Sequence, residues 1–300
     1  MAKEGKVRKH ALSKNKSLVP VLLVTLLMMF GYFYMAQAVL SFTISVPFVL
    51  LFGSGTLEEK MTNTDLMTSV STTVAIFASI GLLFFYYHWF QPEFNWKLCK
   101  RSLAWKLIAP IVIYWVIYFG IAYTVLSGNF TFGIPAYSSA VATVAAGVCE
   151  EIAFRAVGIS YMKRQRKGEK NILLVLLFTS LSFGLVHVTN AILSGNVAGG
   201  FIQSALAAML GIFFGAVYLR TGNILPCIVV HGLHDFLVTA FGVNRHFTSM
   251  PTGVFAISIV CELLLAIWGL YLVRKSKQPE IEALWDEKWQ LTESEERAGG

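Results

Sequence analysis

Apolar runs of twenty or more residues recur along the whole chain, separated by short breaks that hold charge, glycine or proline. A helix needs ~20 apolar residues to cross a hydrocarbon core about 30 Å thick. Marking runs of that length predicts about eight spans, at 20–45, 68–90, 104–126, 137–161, 171–193, 198–219, 224–242 and 251–273. The predicted fold class is therefore all-α, a polytopic membrane protein. The apolar stretch from Leu18 to Phe52 is too long for one straight span. Pro47 and the Ser41-to-Ser45 segment are where it is expected to bend or leave the membrane. Basic residues ahead of an apolar run, with Ala36-Gln37-Ala38 beyond, resemble a signal peptide. The run far exceeds a signal core of about 7–15 residues, which predicts a retained first span.

Composition agrees: 56% of residues are apolar, 14% are charged and the mean hydropathy is +0.63, which excludes an ordinary soluble domain and excludes disorder more firmly. A net charge of +7 would suggest nucleic acid for a soluble protein. Here its placement labels the loops instead, and no nucleic-acid partner is expected. Lys3, Lys6, Arg8, Lys9, Lys14 and Lys16 face a single acid, Glu4, before the first span. With that end cytoplasmic, the inside loops hold Lys97, Lys100 and Arg101, then Lys163, Arg164, Arg166, Lys167 and Lys170, then Arg220, then Arg274, Lys275 and Lys277. The outside loops hold only Lys60 and Arg245. This asymmetry predicts an N-in, C-in orientation and an even number of spans. The chain divides into a basic N-terminus (1–17), three N-terminal spans (18–136), a core of five spans (137–273) and a cytoplasmic tail (274–300). In the tail Ile281, Leu284, Trp285 and Leu291 fall near helical spacing, so either a disordered segment or an amphipathic helix on the inner leaflet is expected. Ala207, Gly211 and Gly215 form a small-residue stripe that predicts close helix packing. Cys99, Cys149, Cys227 and Cys261 show no metal or redox spacing.

A charged side chain at mid-span costs roughly 2.5–3.5 kcal/mol on insertion scales, so the exceptions are informative. Of 17 acidic residues, only Glu150, Glu151, Asp235 and Glu262 fall inside predicted spans. Arg155, His187, His231 and His234 accompany them, with His88 near a helix end. Glu151 and Arg155 are four apart, with the acid on the N-terminal side, which suits an ion pair. Glu150 is turned by about 100° from its neighbour and is free to face something else. A second, uncompensated carboxylate near mid-span suits a general base. His231 and Asp235 share a helix face, so the acid could orient or charge the imidazole. At ~1.5 Å per residue from the predicted cytoplasmic ends, Glu150 lies about 16 Å deep, His187 about 24 Å and His231 about 10 Å. One shared cavity is permitted by those depths.

Glu150-Glu151-x-x-x-Arg155, Phe183-x-x-x-His187 and His231-x-x-x-Asp235, in that order on separate spans, resemble the three motifs of the CAAX protease and bacteriocin-processing family. These are intramembrane proteases related to the type II CAAX prenyl endopeptidase. The resemblance covers roughly 137–245 and implies a CAAX-protease-like core in the five-span unit. It implies that Glu150 activates water with His187, while His231 and Asp235 hold the oxyanion, chemistry that peptide hydrolysis requires. Glu151 and Arg155 become a supporting pair. Asp235 stands where many relatives have Asn, a neutral donor; either it is protonated, or it orients His231 and that residue alone donates. Ala156 replaces the Gly that often follows the motif arginine. The family is described both as metalloproteases and as glutamate proteases. Zinc, if present, would take His187, His231 and Glu150, leaving a fourth position for water.

The expected partners are the lipid bilayer and a peptide or membrane-anchored substrate: a prenylated protein if the organism prenylates, otherwise a pheromone, a bacteriocin precursor or another membrane protein. A bacterial plasma membrane is the expected location. An idle scaffold or immunity protein acting through a partner is the alternative. A proton- or ion-coupled transporter would also place acids and histidines inside spans, but the broken helices in repeated halves are not visible. Glu262 is left either as an interhelical hydrogen-bonding group or as a cavity-lining residue.

Overall fold

The predicted apolar runs fold as helices, and no strand occurs among the described residues. The structure, a computed structural model, describes residues 16–126, 132–189, 192, 195–242 and 251–289. The basic residues of positions 1–15, Arg245 and Leu291 lie outside them. In chain order the helices are α1 (Leu18–Phe52), α2 (Leu57–Thr62), α3 (Thr64–Phe90), α4 (Arg101–Val125), α5 (137–165), α6 (Glu169–Val186), α7 (Val197–Thr221), α8 (Leu225–Ala240), α9 (Thr252–Leu272) and α10 (Gln278–Lys288). Six of these, α1, α3, α4, α6, α7 and α9, are long and apolar enough to cross a membrane. The chain is thus an integral membrane protein. Of the other two predicted spans, α8 has only 16 residues, and α5 carries Glu150, Glu151, Arg155, Lys163 and Arg164.

The first apolar stretch stays helical through Pro47. It runs as one helix of 35 residues, with a π-helical turn at Met35–Leu40 just before the serines. The serines satisfy themselves without breaking it: Ser45 Oγ donates to the Ser41 carbonyl at 2.6 Å, and Ser41 Oγ crosses to the Ser71 carbonyl of α3 at 2.8 Å. At ~1.5 Å per residue such a helix is about 52 Å long, which tilt or extension beyond the bilayer must accommodate.

Small residues set the closest helix contacts. A Cβ on Gly147 would lie 2.7 Å from both the Gly232 nitrogen and the Ile228 oxygen, so α5 and α8 touch backbone to backbone. The stripe on α7 does what its spacing predicts: a Cβ on Gly211 would crowd Ser180 and Phe183 at 3.2 Å, and one on Gly215 would meet Leu176 at 2.8 Å. Gly147→Ala is expected to cost about 1–3 kcal/mol by overpacking, because the obstacle is backbone rather than a flexible side chain. A thermal melt in detergent measures this; an unchanged midpoint would contradict the close α5–α8 contact.

The predicted inside loops gather at one end. Arg166 Nη1 donates to the Lys16 carbonyl at 2.8 Å, Arg164 pairs with Glu93 at 2.8 Å and the Asn95 nitrogen donates to the Lys288 carbonyl at 2.6 Å. The opposite end joins Ser138 to Asp65 at 3.0 Å and Tyr123 to the Gly242 carbonyl at 3.2 Å. The tail differs from both sequence expectations. Helix α10 buries Ile281, Leu284, Trp285 and the adjoining Trp289 against the protein itself rather than against lipid. Lys288 Nζ donates to the Leu98 carbonyl at 2.6 Å and the Gly222 carbonyl at 3.4 Å, Arg220 pairs with Glu280 at 3.0 Å, and Lys163 pairs with Glu282. The apolar residues at helical spacing thus marked a docking face whose partner, the 91–100 segment and the end of α7, is remote in sequence.

Candidate active site

Glu150 and Glu151 sit where α5 passes from α-helix into a π-helical stretch, Ile152–Ile159, every residue of which is buried. π-helical turns inside α-helices occur frequently at functional sites. Glu151 and Arg155 form the expected pair at 3.1 Å, both nearly inaccessible. The Arg155 guanidinium also lies over the Phe183 ring, 4.2 Å from its centroid, a cation–π arrangement that compensates its burial. Phe183, which the sequence reading left without a task, is therefore a platform: the rings of His187 and His231 stand edge-on to it at 5.0 and 5.8 Å.

The close approach at Gly147 brings α8 near enough for a contact that same-helix spacing could not reveal. His231 Nδ1 lies 2.8 Å from Glu151 Oε1. Because an ionised carboxylate only accepts, Nδ1 carries the proton and Nε2 is left for the cavity. Nε2 lies 3.6 Å from Glu150 Oε2 and 4.0 Å from Asp235 Oδ2. The group that orients His231 in this geometry is Glu151, with Asp235 on the other side of the ring. Phe214 of α7 stacks on the same imidazole, 5.5 Å centroid to centroid at 20°. His187, just past the end of α6, has Nδ1 3.0 Å from the Phe183 carbonyl. A carbonyl accepts, so this ring too is protonated on Nδ1 and keeps Nε2 as its acceptor.

All four residues assigned to catalysis from the motifs, Glu150, His187, His231 and Asp235, line one cavity of about 410 Å³. The three helices therefore do meet inside the bundle. The same cavity is lined by residues to which the motifs give no part: Gln37, Gln203, Tyr114, His234 and Glu262. Gln37 comes from the π-helical turn of α1, so the N-terminal spans contribute to the site. His234, one turn from His231, has Nδ1 accepting from the Trp115 indole at 3.3 Å. Among the described residues no three His, Cys, Asp or Glu side chains are gathered closely enough to hold a metal ion. As packed here, His187, His231 and Glu150 are not gathered into a zinc site.

A base candidate, two imidazoles held by carbonyl and carboxylate, and a second carboxyl group around one cavity can activate water and stabilise a developing oxyanion. Compared with known families, residues 132–237 match the model described as type II CAAX prenyl endopeptidase Rce1-like, which is consistent with a CAAX protease. The match spans all three motifs and begins five residues before α5. Neither a curated protein nor a solved structure matches the chain.

Proposed function

From that family match and the cavity above, we propose that the protein is an intramembrane endopeptidase that hydrolyses a peptide bond in a membrane-associated protein or peptide precursor. The observation that carries this reading is the meeting of Glu150, His187, His231 and Asp235 on one cavity. Glu150 takes a proton from the attacking water, with His187 Nε2 as the second acceptor that positions it. His231, held through Nδ1 by Glu151, donates from Nε2 to the oxyanion in its doubly protonated form. Asp235 lies 4.0 Å from that nitrogen and orients the imidazole, so that His231 alone donates. Collapse of the tetrahedral intermediate returns the proton from Glu150 to the leaving amine.

The test is cleavage of a quenched membrane-anchored peptide by the purified full chain in detergent. Turnover that survives removal of divalent metal by a chelator is the expected outcome for a carboxylate base. Loss of turnover restored by zinc would replace this mechanism with a metal-based one. Absence of turnover on any such peptide, with biological function intact, would favour a scaffold or immunity role.

The proposed topology is eight spans with both termini cytoplasmic, in a bacterial plasma membrane. It is supported by the gathering of Lys16, the 91–100 and 163–170 segments and α10 at one end. A reporter inserted after Lys167 is expected to read as cytoplasmic; an external signal would reverse the orientation. Bacteriocin or pheromone precursors are the substrates that such a location would supply.

A further inference from the structure

The cavity has a second polar wall that the proposed chemistry does not use. Glu262, in the middle of α9, is only 5% exposed. One carboxyl oxygen accepts a long hydrogen bond, 3.4 Å, from the Tyr114 hydroxyl, and the other, Oε2, has no hydrogen-bond partner among the described residues. Tyr114 in turn packs its ring 5.5 Å from that of His234. A buried carboxylate with half its acceptor capacity unmet is costly, and such groups are retained where something fills the gap. What fills it can be read from the charge of the whole cavity. The described lining holds three carboxyl groups, Glu150, Asp235 and Glu262, against one charged imidazole, His231, which faces Glu150 and Asp235, and no lysine or arginine. Arg155, the cation of the motifs, is not part of that lining; it pairs with Glu151 and lies over the Phe183 ring.

We propose that Glu262, with Tyr114, forms a substrate subsite that accepts a basic side chain, arginine or lysine, of the peptide held in the cavity. The proposal deepens the endopeptidase reading and rests on it for the identity of the ligand as a peptide. A guanidinium satisfies a carboxylate through charge-assisted, often paired hydrogen bonds, which matches an oxygen left without a donor. Placed on a different helix from the three motifs, the subsite can select a side chain at a fixed distance from the bond that is cut.

The experiment separates recognition from cleavage. The full chain carrying Glu150→Gln is purified in detergent and titrated with fluorescent, N-acylated dodecapeptides that are identical except for one arginine or its uncharged isostere citrulline, scanned along the peptide. At one position the arginine peptide is expected to bind ~10-fold tighter, a difference that one charge-assisted pair readily supplies. Adding Glu262→Gln is expected to bring that ratio to within about twofold of one. The ratio comes from a single preparation, so a reduced folded fraction cannot imitate its collapse. Equal binding of both peptides at every position, or a preference that survives Glu262→Gln, overturns the subsite. A Glu262-dependent preference for arginine in a wild-type protein that hydrolyses none of these peptides overturns the endopeptidase reading and leaves the subsite standing.

Discussion

Glu150→Gln is expected to lower peptide hydrolysis by ~10³-fold while leaving the protein folded, because positioned general-base catalysis contributes about 10²–10⁴-fold. Glutamine keeps the size and hydrogen-bonding capacity of the side chain but cannot accept a proton from water, so the loss falls on the chemical step. In kinetic terms kcat drops and KM moves little. The 3.6 Å separation of Glu150 from His231 Nε2 makes the substitution conservative for packing, since an amide fills that contact as well. The measurement is steady-state cleavage of the quenched peptide with wild type and variant side by side. A variant that retains more than about a tenth of the wild-type rate would remove Glu150 from the role of base. His187→Gln is the companion variant, and activity undiminished in both would end the mechanism.

Arg155→Met is expected to be the most damaging change away from the cavity. It removes the cation from a buried Glu151, which would then share its charge with His231 alone. Breaking one side of a buried ion pair costs about 3–5 kcal/mol, most of it the penalty of the charge left behind. The same change lets the His231 ring tilt, because the carboxylate that fixes it loses its own anchor, and outer-shell losses of this kind typically cost 10–100-fold in activity. The buried thiols of Cys149, Cys227 and Cys261 offer a direct readout through a thiol-reactive dye during a thermal ramp. Arg155→Lys should recover part of the stability through its charge, but not the planar contact with Phe183. If Arg155→Met melts and turns over like wild type, the triad of Arg155, Glu151 and His231 holds nothing together.

How much of this was legible in the chain depended on whether the deciding contact was local. Glu151 and Arg155 were readable as a pair because four residues make one helical turn, and the structure has them at 3.1 Å. The helical runs were readable because a bilayer demands their length. Convergence of Glu150, His187, His231 and Asp235 was only permitted by the depths, and the motif resemblance, not periodicity, favoured it. The Glu151–His231 bond was hidden because it joins residues 80 apart, and the same-helix Asp235 offered a plausible substitute. The signal that could have found it lay in Gly147, a position without a side chain that lets α5 touch the α8 backbone at Ile228 and Gly232. The docking of α10 was hidden for a similar reason: Trp285 and Trp289 announce burial but not against what. Glu262 stood out as an anomaly of burial, yet nothing near it in sequence said that Tyr114, 148 residues away, would meet it.

The two predicted spans that fall short of crossing a membrane independently, α5 and α8, are the two that carry Glu150, Glu151, Arg155, His231 and Asp235. A segment with several ionisable groups, or with only 16 residues, enters a bilayer poorly by itself. Arg155 and His231 cancel part of the cost of Glu151 only when both helices are in place. Biogenesis and catalysis therefore pull on the same side chains: what makes the site reactive makes its helices reluctant to insert. Their lodging in the membrane is expected to be a late and joint event that waits for α8 to be synthesised. Chains interrupted before α8 would then hold α5 only loosely, as targets for quality-control proteolysis rather than as half-built enzymes.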